Sequence, residues 1–343
     1  MPAGDKNRGT ARLSRIFKRY FYNNPHNEET DIVGPFKLQH VVESQQFDRK
    51  LIDVVFSVAS QMKEDLAGHG QLRYSLAGKI MASLFYEPST RTRFSFECAM
   101  KRLGGSVITT ENAREFSSAS KGESLHDTIR IMNGYADIIV MRHNEAGSAE
   151  KAAQVSTLPI INAGDGAGQH PTQALLDLFT INDCFQGIEG LNIAMVGDLK
   201  YGRTVRSLSY LLTKFSDVKL YFISPDVCQM ESDIKDYLDK YQVPWVEEDD
   251  FEKVLPEVDC LYMTRVQKER FNVHEDYLEA AGKYILTPEN VQKMKASAII
   301  MHPLPRVDEI PPEVDDDPRA KYFEQAQNGL YIRMALLYLL LHR

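Results

Sequence analysis

The segment 89–93, Ser-Thr-Arg-Thr-Arg, combines hydroxyl and guanidinium groups at a point where a helix is expected to begin. It follows the apolar run 80–86, and a helical pattern over 94–103 comes after it. A helix N-terminus presents unpaired N–H groups and a partial positive charge, and arginine forms paired hydrogen bonds with phosphate. The segment therefore has the composition of a phosphate site. A well-capped helix with solvated arginines explains it equally well.

A glycine-bearing segment, 164–173, has a histidine, a proline and a glutamine where another helix is expected to begin. Glycine lets the backbone approach a ligand closely, and Pro171 suits the first position of a helix. The helix dipole disfavours a charged imidazolium at His170, so we expect a neutral ring that donates a hydrogen bond, with Gln173 one turn away. A helix-capping histidine without a chemical role is the alternative.

Cationic groups also follow the strands predicted in the second half of the chain. Arg203 and Thr204 end the segment 197–204 at a helix N-terminus, which suits a carboxylate. Arg265 and Gln267 repeat this arrangement after another strand. The segment 197–204 has neither the Gly-x-Gly-x-x-Gly spacing of a dinucleotide site nor the Gly-Lys-Ser/Thr ending of a phosphate loop. Its sequence therefore argues against a dinucleotide or ATP site.

Two further segments carry candidate ligand groups. Arg142 closes a predicted strand and is a candidate anion ligand, although a lone arginine there is more often a solvated charge. The segment 302–306, His-Pro-Leu-Pro-Arg, is rigid, and its prolines leave carbonyl groups without competing N–H partners.

Strand and helix patterns alternate along the chain, which predicts parallel sheets covered by helices on both faces. We expect an α/β protein with two doubly wound parallel-sheet domains, joined by helices near residues 180–190, whose C-terminal helix packs back against the first domain. The predicted strands are 79–86, 106–110, 137–141, 159–162, 192–196, 219–223, 260–263 and 298–301. The predicted helices are an amphipathic first helix around 47–62, then 92–103, 125–135, 149–155, 172–184, 204–215, 232–241 and 322–341. Ligands of such sheets bind beyond the carboxyl ends of the strands, where the segments above lie.

The expected domain boundaries are a basic tail at 1–36, a first domain at 37–183, a second at 184–325 and a returning helix at 326–343. The tail is rich in lysine and arginine and poor in acids, which is typical of an organelle-targeting segment. It is also short of serine, so a disordered tail explains it as well. The sequence is therefore compatible with either a cytoplasmic or a plastid location.

Composition excludes several classes of protein. The net charge of −8 argues against a nucleic-acid binder. No run is long and apolar enough to span a membrane. The cysteines Cys98, Cys184, Cys228 and Cys260 are too far apart for a metal or redox motif, and we expect free thiols.

The segment 85–93 resembles the carbamoyl-phosphate signature of the aspartate and ornithine transcarbamoylase family. The similarity continues through 169–174, 197–204, 263–270 and 302–306, and it covers residues 37–342 in order. The ornithine branch has a His-Cys-Leu-Pro segment where this chain has Pro303. The resemblance therefore favours the catalytic chain of the aspartate branch, with motifs most similar to those of the plant-type enzymes.

The resemblance implies transfer of the carbamoyl group from carbamoyl phosphate to L-aspartate, the committed step of pyrimidine (UMP) synthesis. The amine would attack the carbamoyl carbon directly, with no metal, cofactor or covalent intermediate. Another transcarbamoylase, for an amine such as ornithine, is an alternative, as is a catalytically silent assembly subunit. Ornithine lacks the second carboxylate that the arginines of the second domain would bind.

The resemblance also implies roles for individual residues. The phosphate would be held by Ser89, Thr90, Arg91 and Thr92. The developing oxyanion would receive hydrogen bonds from Thr92, Arg142 and His170. The carbamoyl amide would donate to Gln173 and to carbonyls around Leu304 and Pro305. The carboxylates of aspartate would be bound by Arg203, Thr204, Arg265 and Gln267.

Quaternary structure and regulation are implied in the same way. Ser117 and Lys121 would reach into the site of a neighbouring subunit in a homotrimer, with Lys121 acting in catalysis and in aspartate binding. UMP would inhibit by binding at or near the active site.

Overall fold

The computed structural model describes residues 36–68, 70–267, 271, 277–278 and 280–342, and within them parallel strands form two sheets. The strands of the first sheet are β1 (Ile80–Phe85), β2 (Ser106–Glu111), β3 (Ile138–His143) and β4 (Ile160–Asp165). Their order is β2-β1-β3-β4, with every pair parallel. The chain therefore reverses its direction of winding between β1 and β3, which makes their carboxyl ends the expected ligand position.

The second sheet repeats this plan. Its strands are β5 (Asn192–Val196), β6 (Lys219–Ile223), β7 (Trp245–Glu248), β8 (Cys260–Met263) and β9 (Ile299–Met301). Their order is β7-β6-β5-β8-β9, again all parallel. The winding reverses between β5 and β8, so the second sheet has its own reversal point.

Helices cover the sheets and connect their strands. They are α1 (Arg49–Ala67), α2 (Thr90–Arg102), α3 (Ala113–Phe116), α4 (Leu125–Met132), α5 (Ser148–Val155), α6 (Pro171–Phe185), α7 (Arg203–Leu212), α8 (Ser232–Lys240), α9 (Phe251–Val254), α10 (Pro288–Lys293) and α11 (Tyr322–Leu341). None of the helices described is long and apolar enough to cross a membrane.

The C-terminal helix α11 lies in the interior. It contacts α1, α2 and α6, and its buried residues are distributed around its whole circumference. A helix that is apolar on every side is stable only when neighbours cover it on every side. The expected return of this helix to the first half of the chain is confirmed, as are the two parallel-sheet α/β halves.

The predicted strands agree with the observed ones except at a few ends and at β7. Strand β3 runs on through Arg142 and His143, which the sequence had placed after it. Strand β7 was not predicted, because its sequence Trp-Val-Glu-Glu has no apolar run and its side chains are partly exposed at a sheet edge. Residues 1–35 of the basic tail and Lys268, Glu269 and Arg270 lie outside the described residues. The domain boundaries stay a prediction.

Candidate functional site

A cavity of about 420 Å³ opens where the carboxyl ends of both sheets approach each other. Thirteen of the residues with predicted roles line it: Ser89, Thr90, Arg91, Thr92, Arg142, His170, Gln173, Arg203, Thr204, Arg265, Gln267, Leu304 and Pro305. Arg142 lies near the end of β3, and the others follow strands β1, β4, β5, β8 and β9, so the cavity joins the reversal points of the two sheets.

Three helices begin at this cavity. Their N-cap residues are Ser89 for α2, His170 for α6 and Gly202 for α7. None of these residues caps its helix with a side-chain hydrogen bond, so the hydroxyl of Ser89 is not used for capping. The partial positive charges of three helix N-termini therefore face the same cavity, and the N–H groups of the first turns can bind an anion there.

Five arginines add full charges to these helix ends. Arg91, Arg142, Arg203, Arg265 and Arg333 line the cavity, and Glu87 is the only acid among the described lining residues. Burial, and secondly the charge of Arg142, lower the pKa of Arg91 below its ordinary value. The cavity is therefore suited to a ligand with several negative charges.

Glu87 partly neutralises this charge. Its Oε1 lies 2.6 Å from Arg142 Nη2 and 3.8 Å from Arg203 Nη2, so one carboxylate joins an arginine of each half of the chain. The side chains of Glu87, Arg142 and Arg203 are 27%, 11% and 11% exposed, so solvent screens these pairs less than it would at an open surface.

Gly164 makes room for the two guanidinium groups. Its φ of +112° lies outside the range that other residues readily adopt. A Cβ atom there would lie 3.1 Å from Arg203 Cζ and 3.3 Å from Arg142 Nη1. Arg203 Nη1 also donates to the carbonyl of Gly166 at 2.5 Å. The glycine-rich segment therefore lets the side chains of Arg142 and Arg203 approach its backbone closely. The spacing of its glycines in the sequence did not reveal this role.

His170 is buried between these cations. Its side chain lies beside the cavity, and its Nδ1 has no hydrogen-bond partner among the described residues. Burial, followed by the charges of Arg203, Arg142 and Arg333, lowers its pKa well below 6.5. The neutral ring expected from the helix position agrees with this direction, although burial is the larger cause. A neutral imidazole can donate one hydrogen bond to a ligand without adding a charge.

Hydrogen bonds fix the loop that follows β9. The ring of His302 accepts from the backbone N–H of Leu304 through Nδ1 at 2.8 Å and contacts Glu309 Oε1 through Nε2 at 2.7 Å. Because Nδ1 accepts, the proton lies on Nε2, which donates to the carboxylate. Arg306 forms a two-pronged ion pair with Asp315 and so anchors the far end of the loop. Leu304 and Pro305 are held at the cavity wall between these anchors.

Helix α11 contributes Gln325, Ala326 and Arg333 to the cavity wall, and neither of the two polar ones, Gln325 and Arg333, was predicted from the sequence. Arg333 is 3% exposed and donates to Ser95 Oγ at 2.9 Å. Burial lowers its pKa to about 10. An arginine inside an apolar helix was the available signal, because a buried guanidinium requires a polar or anionic partner.

Ser117 and Lys121 do not line the cavity of their own chain. Ser117 precedes the short 3-10 helix Ser118–Lys121 beyond β2, and Lys121 is its last residue. Ser117 Oγ accepts from the N–H of Ala119 at 3.1 Å and donates to the carbonyl of Ala113. Thus thirteen of the fifteen predicted residues come together and these two do not.

In the described part of the chain, His, Cys, Asp and Glu side chains form no cluster of three that could hold a metal ion. Of the cysteines, Cys228 and Cys260 are buried, Cys184 is partly exposed and Cys98 is exposed.

Lowered proton affinity at His170 predicts a pH dependence of stability. The unfolded histidine takes up a proton below its pKa of 6.5, whereas the folded one does not, so stability falls as pH decreases through 6.5. Between pH 7.5 and pH 5, wild type should lose up to about 2 kcal/mol more unfolding free energy than His170→Gln. Urea unfolding at both values measures this difference, and equal losses in the two proteins would contradict it.

Comparison with known proteins identifies the family of the chain. The family model described as the carbamoyl-P binding domain of aspartate/ornithine carbamoyltransferase matches residues 39–183. The model described as the Asp/Orn binding domain of the same family matches residues 189–340.

Individual relatives agree with these models. Chloroplastic aspartate carbamoyltransferase of Arabidopsis thaliana is 58% identical over 307 residues, 89% of this chain and 78% of the relative. The catalytic subunit of M. jannaschii aspartate transcarbamoylase has a TM-score of 0.82 at 48% identity, covering 88% of this chain and 98% of that one. The Trypanosoma cruzi enzyme in complex with carbamoyl phosphate and aspartate has a TM-score of 0.82 at 40% identity, covering 88% of this chain and 96% of that one. This chain belongs to the aspartate/ornithine carbamoyltransferase family.

Proposed function

We propose that this chain transfers the carbamoyl group of carbamoyl phosphate to the amine of L-aspartate, giving N-carbamoyl-L-aspartate and phosphate. The observation that carries the proposal is one cavity with cationic groups from both halves: Arg91 and Arg142 on one side, and Arg203 and Arg265 on the other. Relatives named for this activity, one of them 58% identical, support the same reaction. The reaction is the committed step of pyrimidine synthesis.

The N-terminus of α2 is the proposed phosphate site. Ser89, Thr90, Arg91 and Thr92 offer hydroxyl groups, a guanidinium group and unpaired N–H groups within a single helical turn. Phosphate is both a substituent of the first substrate and the leaving group. Binding it here would fix the substrate and favour its departure as an anion.

The carbamoyl oxygen would lie near Thr92, Arg142 and His170. As the amine attacks, this oxygen gains negative charge, and prearranged donors stabilise it without reorganising. The neutral ring of His170 would act as such a donor. Gln173 and the carbonyls around Leu304 and Pro305 would accept hydrogen bonds from the carbamoyl NH₂ and so orient the reacting carbon.

The second half of the cavity is the proposed aspartate site. Arg203 and Thr204 begin α7, while Arg265 and Gln267 follow β8. Two arginines on separate elements suit a ligand that carries two carboxylates. This arrangement favours aspartate over ornithine, whose second functional group is an amine. A positive amine would be repelled by the same arginines.

Amine specificity tests the proposed function. The purified chain supplied with carbamoyl phosphate should form carbamoyl aspartate from L-aspartate and form citrulline from ornithine at least about a thousandfold more slowly, because a site that pairs charged groups rejects an analogue leaving them unpaired. Colorimetric ureido assays with each amine measure both rates.

The alternatives predict other results in this assay. Faster use of ornithine would identify the other branch of the family. No turnover of either amine, with no binding of a phosphonate mimic that joins both substrates, would indicate a silent homologue.

Removal of the imidazole should slow the chemical step. We expect His170→Ala to lower kcat by about two to three powers of ten, since removal of one oxyanion donor typically has that effect. Steady-state kinetics at saturating concentrations of both substrates measure it, with circular dichroism as a control for folding. A loss below about threefold would exclude the assigned role.

We also propose a homotrimer in which Ser117 and Lys121 complete the site of a neighbouring subunit, where Lys121 acts in catalysis and in aspartate binding. Their position outside the cavity of their own chain supports this. Large apolar side chains are exposed in this part of the chain: Phe116 is 78% exposed, and Ile108 on β2 and Ile131 on α4 are 41% and 43% exposed. Exposed apolar groups around a catalytic loop are typical of an interface.

Mixed subunits test the shared site. Lys121→Ala and Arg91→Ala trimers should each be nearly inactive, whereas trimers re-formed from an equal mixture should recover about a quarter of the wild-type activity. In a head-to-tail ring, that fraction of sites combines an intact Arg91 with an intact Lys121 from the next chain. Activity is measured after dissociation and reassembly, with each variant treated alone as the control. Absence of recovery would refute the shared site.

The proposed function includes inhibition by UMP and a location in the plastid. UMP would bind at or near the same cavity, because its phosphate suits the same helix N-termini and arginines. Between cytoplasm and plastid, the chloroplastic relative favours the plastid.

A further inference from the structure

A buried carboxylate lies behind the cavity and has no role in the scheme above. Asp177 is on α6, one turn after Gln173, and is 0% exposed. Buried carboxylates are rare because loss of hydration disfavours their charge, and they are retained where partners compensate. Its partners therefore indicate what it does.

Three donors from three elements converge on this carboxylate. Gln173 Nε2 of α6 lies 2.8 Å from Asp177 Oδ1, and Gln325 Nε2 of α11 lies 2.6 Å from the same oxygen. The hydroxyl of Tyr262 on β8 donates to Oδ2 at 2.7 Å. Asp177 thus joins the first half of the chain, the second sheet and the C-terminal helix.

The contact with Gln173 determines which end of its amide faces the ligand. The ionised form of the carboxyl group only accepts hydrogen bonds, and the amide nitrogen of Gln173 donates to it. The amide oxygen is then turned away from Asp177, and Gln173 lines the cavity. An acceptor is what a carbamoyl NH₂ group needs, whereas the opposite orientation would set two donors against each other.

The contact with Gln325 connects Asp177 to the loop that carries Leu304, on the other side of the cavity. Gln325 Oε1 accepts from the backbone N–H of His302 at 2.8 Å. The ring of His302 in turn accepts from the N–H of Leu304. The acceptors expected on both sides of the carbamoyl group, Gln173 and the carbonyl of Leu304, are therefore linked through one carboxylate.

We propose that Asp177 is a positioning residue that fixes the amide of Gln173 with its oxygen toward the carbamoyl group and links it, through Gln325, to the loop at Leu304. This inference rests on the proposed function, because it assigns Asp177 to the carbamoyl-phosphate half of that site.

Electrostatics support a role beyond folding. Burial raises the pKa of Asp177 to about 7, although hydrogen bonds from Gln325, Tyr262 and Gln173 and the charge of Arg333 oppose the rise. Replacing a buried ionic group with apolar side chains often leaves stability equal or greater. A carboxyl group retained in a buried position at this cost is better explained by the orientation that it imposes on its partners.

A double-mutant cycle tests the proposal. Asp177→Ala should lower kcat/KM for carbamoyl phosphate by about 10- to 100-fold, since the amide of Gln173 is then free to rotate. In a Gln173→Ala background, the same change should lower it by a factor at least about threefold smaller, because only the link through Gln325 to Leu304 is then left to lose. The KM for L-aspartate should change little in either background. Equal factors in both backgrounds would overturn the proposal.

Asn328→Ala is the matched control, because Asn328 Nδ2 donates to Thr180 Oγ1 at 3.0 Å across the same buried contact of α11 with α6. It should lower the melting temperature but leave kcat/KM for carbamoyl phosphate within about threefold of wild type. A loss as large as that of Asp177→Ala would assign the effect to general loosening and refute the proposal.

If Asp177→Ala does not fold, Asp177→Leu repeats the cycle with a side chain of similar branching. It offers no acceptor to Gln173, so we expect the same non-additivity with Gln173→Ala in equilibrium binding of carbamoyl phosphate. Additive effects in this cycle would also refute the proposal. Failure of the proposed function itself is distinguishable, since wild type would then form no carbamoyl aspartate.

Discussion

The concentration of positive charge at one cavity is the constraint on which the rest of the structure depends. Helices α2, α6 and α7 begin there, five arginines line it, and Glu87 is the only acid among the described lining residues. Like charges in a partly buried space repel each other, and rigid neighbours must resist that repulsion. The two parallel sheets and the fully packed helix α11 supply this rigidity. The site is therefore strained electrostatically until anions occupy it.

Much of this arrangement could be predicted because it is encoded locally. Parallel strands are apolar runs, and the residues that follow them must meet at the carboxyl edge of the sheet. Arg91 and Arg203 were recognised in this way, each at the start of a helix after a strand. The rule brings distant segments together without requiring any knowledge of side-chain packing, and the cavity residues after β1 and β5 agree with it.

The remainder depends on contacts between segments far apart in the chain. Gln325 and Arg333 lie in a helix whose composition is that of a hydrophobic core, and only packing against α2 and α6 shows that they reach the cavity. Asp177 resembled an ordinary polar position of α6. The sequence indicated that the backbone at Gly164 allows a close approach. It did not indicate that the approaching groups are arginines from other strands. Periodicity reports which side of a helix is buried, not which polar atoms it meets there.

Strand β2 has a consequence for the handling of the protein inside a cell. Within the described residues it lies at the edge of its sheet and pairs only with β1, and most of its side chains are exposed. Its outer backbone N–H and C=O groups form a template to which another extended chain can add. A chain with this edge uncovered therefore carries an aggregation-prone strand, and the trimer proposed above would reduce that hazard if it covers β2.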